Sequence, residues 1–246
     1  MLRVVQGHEI WVIPEASHFH MGTETRCRVF YGHAGRPDGL ADLNRLSAWV
    51  LKPEGKRLNL AVTAGDNTFH LVKFVPDEDG FWAVTVENDV GAIALKGGLF
   101  RQGTRRDFPD AKEVSYYHQY AKTFVQVGHL HEEETAVIPA SPVRLGHELE
   151  LVAVPGPYRL GSELVLEVYY RGQPLPGAEV KANWSLREGK DWAWTRRADS
   201  AGKLKITLDQ PGHWLFYVRH TDDTLGKEGE YDKVICTATL SFYGVR

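Results

Sequence analysis

Two cysteines, Cys27 and Cys236, are all the thiol chemistry in this 246-residue sequence. They lie far apart with no CxxC spacing, which excludes a local redox pair or zinc knuckle and reads as two buried free thiols. One-sided charge is also missing. Twenty-nine basic and 32 acidic residues leave a net charge of -3, giving no electrostatic ground for a nucleic-acid or anionic-membrane partner. Apolar runs are strand-sized, short of the roughly 20 residues a membrane helix needs. Met1-Leu2-Arg3-Val4-Val5-Gln6 carries no apolar core of signal-peptide length, so the residues alone suggest a cytoplasmic chain or a trimmed exported one. The sequence contains no GxSxG elbow, phosphate-binding glycine-lysine loop, GxGxxG or HExxH. No carboxylate pair can be placed in catalytic geometry, so a non-catalytic protein is expected.

What is present reads as strands. Hydrophobic residues at 43% and charged residues at 25% are an ordinary globular balance. The 24 glycines and 12 prolines are dispersed as turn punctuation. Segments 8–13, 25–31, 46–51, 57–63, 68–75 and 81–86 have strand character, with Cys27, Val29 and Tyr31 sharing one face. Pro53-Glu54-Gly55, Gly65-Asp66-Asn67 and Pro76-Asp77-Glu78-Asp79-Gly80 supply turns between them. A single helix is predicted over 107–122, capped by Asp107, with Pro109 in its first turn and Val114, Tyr117 and Ala121 at helical spacing. Strand character resumes over 124–127.

Ile138-Pro139-Ala140-Ser141-Pro142 reads as a linker. After it, segments 148–154, 163–170, 178–186, 191–197, 204–208, 214–220 and 233–242 give seven short strands, an immunoglobulin-like number. Trp184, Trp192, Trp194 and Trp214 are expected to supply core. The expected fold is all-β: an N-terminal β-sandwich domain over 1–140 with one short helix, and a C-terminal immunoglobulin-like or transthyretin-like sandwich over 143–246.

Eleven histidines are the feature left over. Two pairs, His18-Phe19-His20 and His129-Leu130-His131, have alternate spacing. On a strand that spacing puts both imidazoles on one face about 7 Å apart. Such pairs suit a borderline ion such as Ni²⁺, Co²⁺, Cu²⁺ or Zn²⁺, with further ligands from other strands such as His8, His118 or His220. The competing reading is solvent-facing or hydrogen-bonded histidine, which applies more strongly to the isolated His33, His70, His147 and His213. Glu132, Glu133 and Glu134 read as a solvated loop, or as an acidic attractor or carboxylate ligand.

Several segments, in order, resemble the DUF4198 family. His8-Glu9-Ile10-Trp11 is similar to its HxFW opening, and Tyr120-Ala121-Lys122 to its YAK. Leu145-Gly146-His147-Glu148-Leu149-Glu150-Leu151 with Pro155-Gly156-Pro157-Tyr158 is similar to its entry into the second domain. Pro174-Leu175-Pro176-Gly177-Ala178-Glu179-Val180 is similar to its PLxGAxV hairpin. Asp199-Ser200-Ala201-Gly202-Lys203, Pro211-Gly212-His213-Trp214 and Arg219-His220 are similar to its closing strands. These matches span most of the chain, and each is short and mainly structural. The resemblance implies a periplasmic or extracellular protein that handles nickel or cobalt beside a membrane transporter. In the family, removal of a signal peptide leaves the opening histidine at or near the amino terminus, whereas seven residues precede His8 here. The combined expectation is a metal-binding accessory protein for Ni²⁺, Co²⁺ or Zn²⁺. Its candidate ligands are His8, His18, His20, His129, His131 and His220, neutral imidazoles whose affinity falls with acidification. The alternative is an extracytoplasmic glycan- or protein-binding module with exposed aromatic side chains. A hydrolase in an unfamiliar fold would need a pocket holding a base beside a nucleophile.

Overall fold

The computed structural model describes residues 7–128, 143–154, 159–185 and 189–245. The strands are β1 (Glu9–Pro14), β2 (Thr25–His33), β3 (Arg36–Gly39), β4 (Leu46–Leu51), β5 (Arg57–Leu60), β6 (Val62–Ala64), β7 (Phe69–Phe74), β8 (Gly80–Lys96) and β9 (Leu99–Gln102). They continue with β10 (Glu113–Val127), β11 (Leu149–Ala153), β12 (Glu163–Tyr170), β13 (Gln173–Pro174), β14 (Glu179–Trp184), β15 (Trp194–Arg197), β16 (Lys203–Thr207), β17 (Gly212–Asp222) and β18 (Lys233–Val245). A 3-10 turn at Leu43–Arg45 is the helical content of the described residues. None of their helices is long and apolar enough to cross a membrane.

The fold is all-β, as expected, in three stacked sheets. A nine-stranded sheet runs β15-β14-β17-β18-β10-β8-β4-β5, with β9 on β8. A five-stranded sheet runs β1-β2-β7-β6 with β3 on β2, and a four-stranded sheet runs β11-β12-β13 with β16 on β12. Successive side chains on a strand point to opposite faces, and the two large cores follow that parity. Trp82, Val84 and Val86 of β8 and Ala121, Val125 and Val127 of β10 pack with Ile10, Val12, Cys27, Val29 and Val72 of the five-stranded sheet. Ala83 of β8, Tyr120 and Phe124 of β10, Trp214, Phe216 and Val218 of β17 and Val234, Cys236, Ala238, Leu240 and Phe242 of β18 pack with Leu149, Leu151, Leu164, Leu166 and Val168 of the four-stranded sheet. The nine-stranded sheet is therefore the middle layer. Each large apolar side chain it buries contributes about 1.5–3 kcal/mol. The boundary expected near residue 140 lies outside the described residues, and strands from both sides of it join the middle sheet, where β10 and β18 pair in parallel. Cys27 and Cys236 are free and buried.

The helix expected over 107–122 is not there: Glu113–Val127 is strand β10. Val114, Tyr117 and Ala121 mimic helical spacing because β10 is covered on both faces, so its apolar residues need not alternate. Its valines, threonine and aromatics favour extended backbone. Asp107 instead accepts from the Thr104 amide and hydroxyl, both at 2.8 Å, in a turn.

Two-sided burial forces the polar residues of β10 into pairs. Lys122, 1% exposed, donates to Glu150 Oε1 of β11 at 2.7 Å and to the Val143 carbonyl at 3.0 Å. Glu150 also accepts from the Leu145 and Gly146 amides at 2.7 and 3.2 Å. Burial works to raise the Glu150 pKa, but the Lys122 charge and these donors hold it below the ordinary value. The pair is ionic. Beside it, Thr85 gives its proton to the Ala121 carbonyl at 2.8 Å, so its oxygen accepts from His147 Nε2 at 3.0 Å. Tyr120 stacks on the same imidazole at 4.8 Å.

Replacing Lys122 with Met strands the Glu150 charge in the interior. Urea unfolding should show a loss of roughly 3–5 kcal/mol, whereas a loss below about 1 kcal/mol would mean the pair behaves as a surface contact. His147 gives a pH signature. Burial lowers its pKa from 6.5 to about 4, so the unfolded chain takes up the proton first. His147 therefore costs stability progressively as pH falls from about 6.5 to about 4, on the order of 3 kcal/mol in total. His147→Gln should flatten that part of the stability–pH curve, and an unchanged slope would contradict it.

Candidate functional site

The β2–β3 hairpin turns through Ala34 (φ 49°) and Gly35 (φ 75°), the backbone of a two-residue primed turn. A non-glycine residue there carries strain of about 1 kcal/mol or more, and Ala34 is held from two sides. Its amide donates to Glu9 Oε2 of β1 at 3.0 Å, and its carbonyl accepts from Asn183 Nδ2 of β14 at 2.7 Å. Glu9 is 3% exposed, and burial drives its pKa up to about 8, against the opposing Ala34 hydrogen bond. In the hairpin register Tyr31 faces Gly39 while Gly32 faces Pro37, which leaves Asp38 as the extra, bulged residue. Gly32 is required: a Cβ there would lie 2.0 Å from the Arg36 carbonyl oxygen.

This bulge aims Asp38 at two histidines. Its Oδ1 lies 2.9 Å from His8 Nε2 and its Oδ2 2.5 Å from His33 Nδ1. Burial works to raise the Asp38 pKa, but the His33 hydrogen bond and the charge interaction with His8 outweigh it and hold the carboxylate below its ordinary range. His8 precedes β1, whose Glu9 pairs with Gly32 of β2. Its ring stacks on Tyr31 at 4.6 Å and approaches His33 at 4.1 Å, and its carbonyl accepts from Gln119 of β10 at 2.7 Å. His8, His33 and Asp38 each offer one ligand atom, all within 4.8 Å of one another. Imidazole and carboxylate bonds of about 2.0–2.2 Å to one ion put ligand atoms roughly 3–4 Å apart, so small side-chain rotations complete the set. Two imidazoles and a carboxylate suit borderline divalent ions.

The other expected ligands go elsewhere. His18 and His20 are exposed, with rings edge-to-face at 5.3 Å. His220 points to the opposite face of the middle sheet and lies 4.3 Å from the Tyr170 ring. His118 Nδ1 is 3.0 Å from the Tyr120 hydroxyl. His129 and His131 fall outside the described residues. His33 and Asp38 were missed as ligands because each stands alone in sequence. The legible signal was Gly32-His33-Ala34-Gly35-Arg36-Pro37-Asp38, a tight turn that returns one candidate ligand onto another.

Two clefts flank the cluster. One of about 30 Å³ is lined by His8, Tyr31, Tyr117, Gln119 and Arg219. A wider one of about 530 Å³ is lined by Glu9, His33, Lys181, Lys190, Trp192 and Arg219 among others.

Residues 5–222 match the family described as Domain of unknown function (DUF4198). The chain belongs to the DUF4198 family. No curated protein matches the sequence. Among solved structures, this DUF4198 chain is similar to a DUF4785 family protein of Legionella pneumophila, with 10% identity, a TM-score of 0.31 and coverage of 90% of this chain and 53% of that one. This chain thus spans about half the length of the Legionella protein. The D0-D1 domain of intimin gives 12% identity and a TM-score of 0.26 over 94% of this chain and 97% of that one. The Yersinia pseudotuberculosis adhesin InvE gives 10% and 0.26 over 93% and 58%. At these scores the likenesses carry no functional argument.

Gly32→Ala should destabilise the protein by about 3 kcal/mol in thermal or urea unfolding. Gly39→Ala, in the same hairpin with nothing within 4 Å of the added Cβ, should stay within about 0.5 kcal/mol of wild type. Equal effects would remove the bulge as the device that aims Asp38.

Proposed function

We propose that this DUF4198 protein is a non-catalytic binder of a divalent transition ion, nickel or cobalt by preference, that buffers the ion or passes it to a membrane transporter outside the cytoplasm. The observation that carries the reading is the convergence of His8, His33 and Asp38 within 4.8 Å, on a hairpin whose strained turn is fastened by two other strands. The same contacts also brace the hairpin, so the metal reading stands or falls by titration. Three protein ligands leave positions open on an ion that takes four to six, which suits release to a second protein. His8 and His33 ligate only as neutral imidazoles, so protons compete with the ion. Delivery and the extracytoplasmic setting rest on what the family resemblance implies.

Calorimetric titration of metal-free protein with Ni²⁺, Co²⁺ and Zn²⁺ at pH 7.5 should give one stoichiometric site. Affinity should fall at least tenfold in His8→Ala and in His33→Ala, by a smaller factor in Asp38→Asn, and be largely lost at pH 5.5. Binding that survives all three substitutions but disappears in the double variant His18→Ala/His20→Ala would move the ion to the exposed pair and sink this site.

A further inference from the structure

The cleft beside the cluster holds an arginine that a bare metal ion does not use. Arg219 on β17 lines both clefts, together with Gly7. Among the described residues no carboxylate oxygen lies within 4 Å of its guanidinium, which meets the Tyr217 hydroxyl and the Tyr117 ring, 5.9 Å away. Lys181 and Lys190 line the wider cleft with it, and so do the carboxyl groups of Glu9, Glu179 and Asp191. Lys181 has Glu179 at 3.7 Å, and Glu9 spends an oxygen on the Ala34 amide. Arg219 is thus a partly buried fork of donors, of the kind that recognises carboxylates in pairs of parallel hydrogen bonds.

Size sorts the two clefts. The one on the His8 side, about 30 Å³, has room for a water or two. The one on the His33 side, about 530 Å³, is of small-molecule size. Its walls pair polar and charged groups with Trp192 and Tyr217, which stack at 5.3 Å.

Building on the metal reading, we propose that the ion is bound as a ternary complex with a small polycarboxylate chelator. In this complex one carboxylate of the chelator completes the coordination begun by His8, His33 and Asp38, and another pairs with Arg219 in the wider cleft. No covalent bond is made or broken: the chelator exchanges metal-bound waters for protein ligands. The cluster then selects the metal, and the cleft selects the form in which it arrives.

Citrate is the probe. Nickel affinity is measured by calorimetry with and without one equivalent of citrate, and radiolabelled citrate retained by the protein is counted after gel filtration. Ethylenediamine, a chelator without a carboxylate, is the control on the wild-type protein. The expected result is citrate retained at one per nickel, and nickel bound at least tenfold more tightly as its citrate complex than as its ethylenediamine complex. Arg219→Gln should shrink that ratio at least fivefold, and Arg219→Lys should restore part of it. Citrate that strips nickel from the wild-type protein, or a ratio unmoved by Arg219→Gln, overturns the chelate proposal while leaving the ion site intact. Nickel that fails to bind in any form overturns both readings together.

Discussion

The centre of the middle sheet is buried on both faces, and the rest of the molecule follows from how that burial is satisfied. Every residue of β10 from Gln119 to Val127 is buried. A strand in that position has no solvent to absorb its polar side chains, so each must find a partner inside. Thr123 donates to the Ser241 carbonyl and Lys122 to Glu150. Gln119 donates to the His8 carbonyl and accepts from Asn88 at 2.8 Å. On β18, Thr239 donates to the Ile10 carbonyl at 2.8 Å, and Ser241 donates to that of Val12. Polar groups in the centre thus hold the backbone of β1, and β1 carries Glu9 and begins beside His8. The candidate site is fixed by the interior of the sheet more than by the loop it sits on.

Legibility in the sequence divides along the same line. Strands with one face on a core and one toward water, such as β2 and β16, keep the alternation that marks them; β16 reads exposed-buried throughout. Central strands of the middle layer such as β10 lose it, whereas the edge strand β5 keeps it. In β10 the near-continuous burial turned valine, tyrosine and alanine at positions 114, 117 and 121 into a false helical period. The parallel pairing of β10 with β18, which sets Cys236 opposite His118, links residues more than a hundred positions apart. No local pattern encodes it.

The site shows the same division. His8 was legible as the head of a strand, and histidines spaced two apart were legible as a shared face. By the strand repeat alone, histidines spaced two apart stand about 7 Å apart. A tight hairpin does better. It places residues from two strands opposite each other, and a bulge turns one more side chain into the gap. His33 and Asp38 are five positions apart in sequence and 2.5 Å apart between ligand atoms. The strain at Ala34 is sustained because Glu9 and Asn183, from two different sheets, over-determine the turn.

Strand parity then decides which basic and imidazole groups can serve this cluster. On β17, Trp214, Phe216 and Val218 face the four-stranded sheet, so His220 follows them to Tyr170. Tyr217 and Arg219 face the other way and line the cleft beside His33. Neighbours in sequence are therefore on opposite sides of a layer no side chain can cross. A histidine at 220 is excluded from the cluster by the same alternation that delivers an arginine at 219 to it. Beside the His33 edge of the cluster, the odd-numbered positions of β14 and β17 offer both signs of charge, Glu179 with Lys181 and Arg219. Lys181 already faces the Glu179 carboxylate at 3.7 Å, so Arg219 is the cation that an anion arriving with the metal would meet.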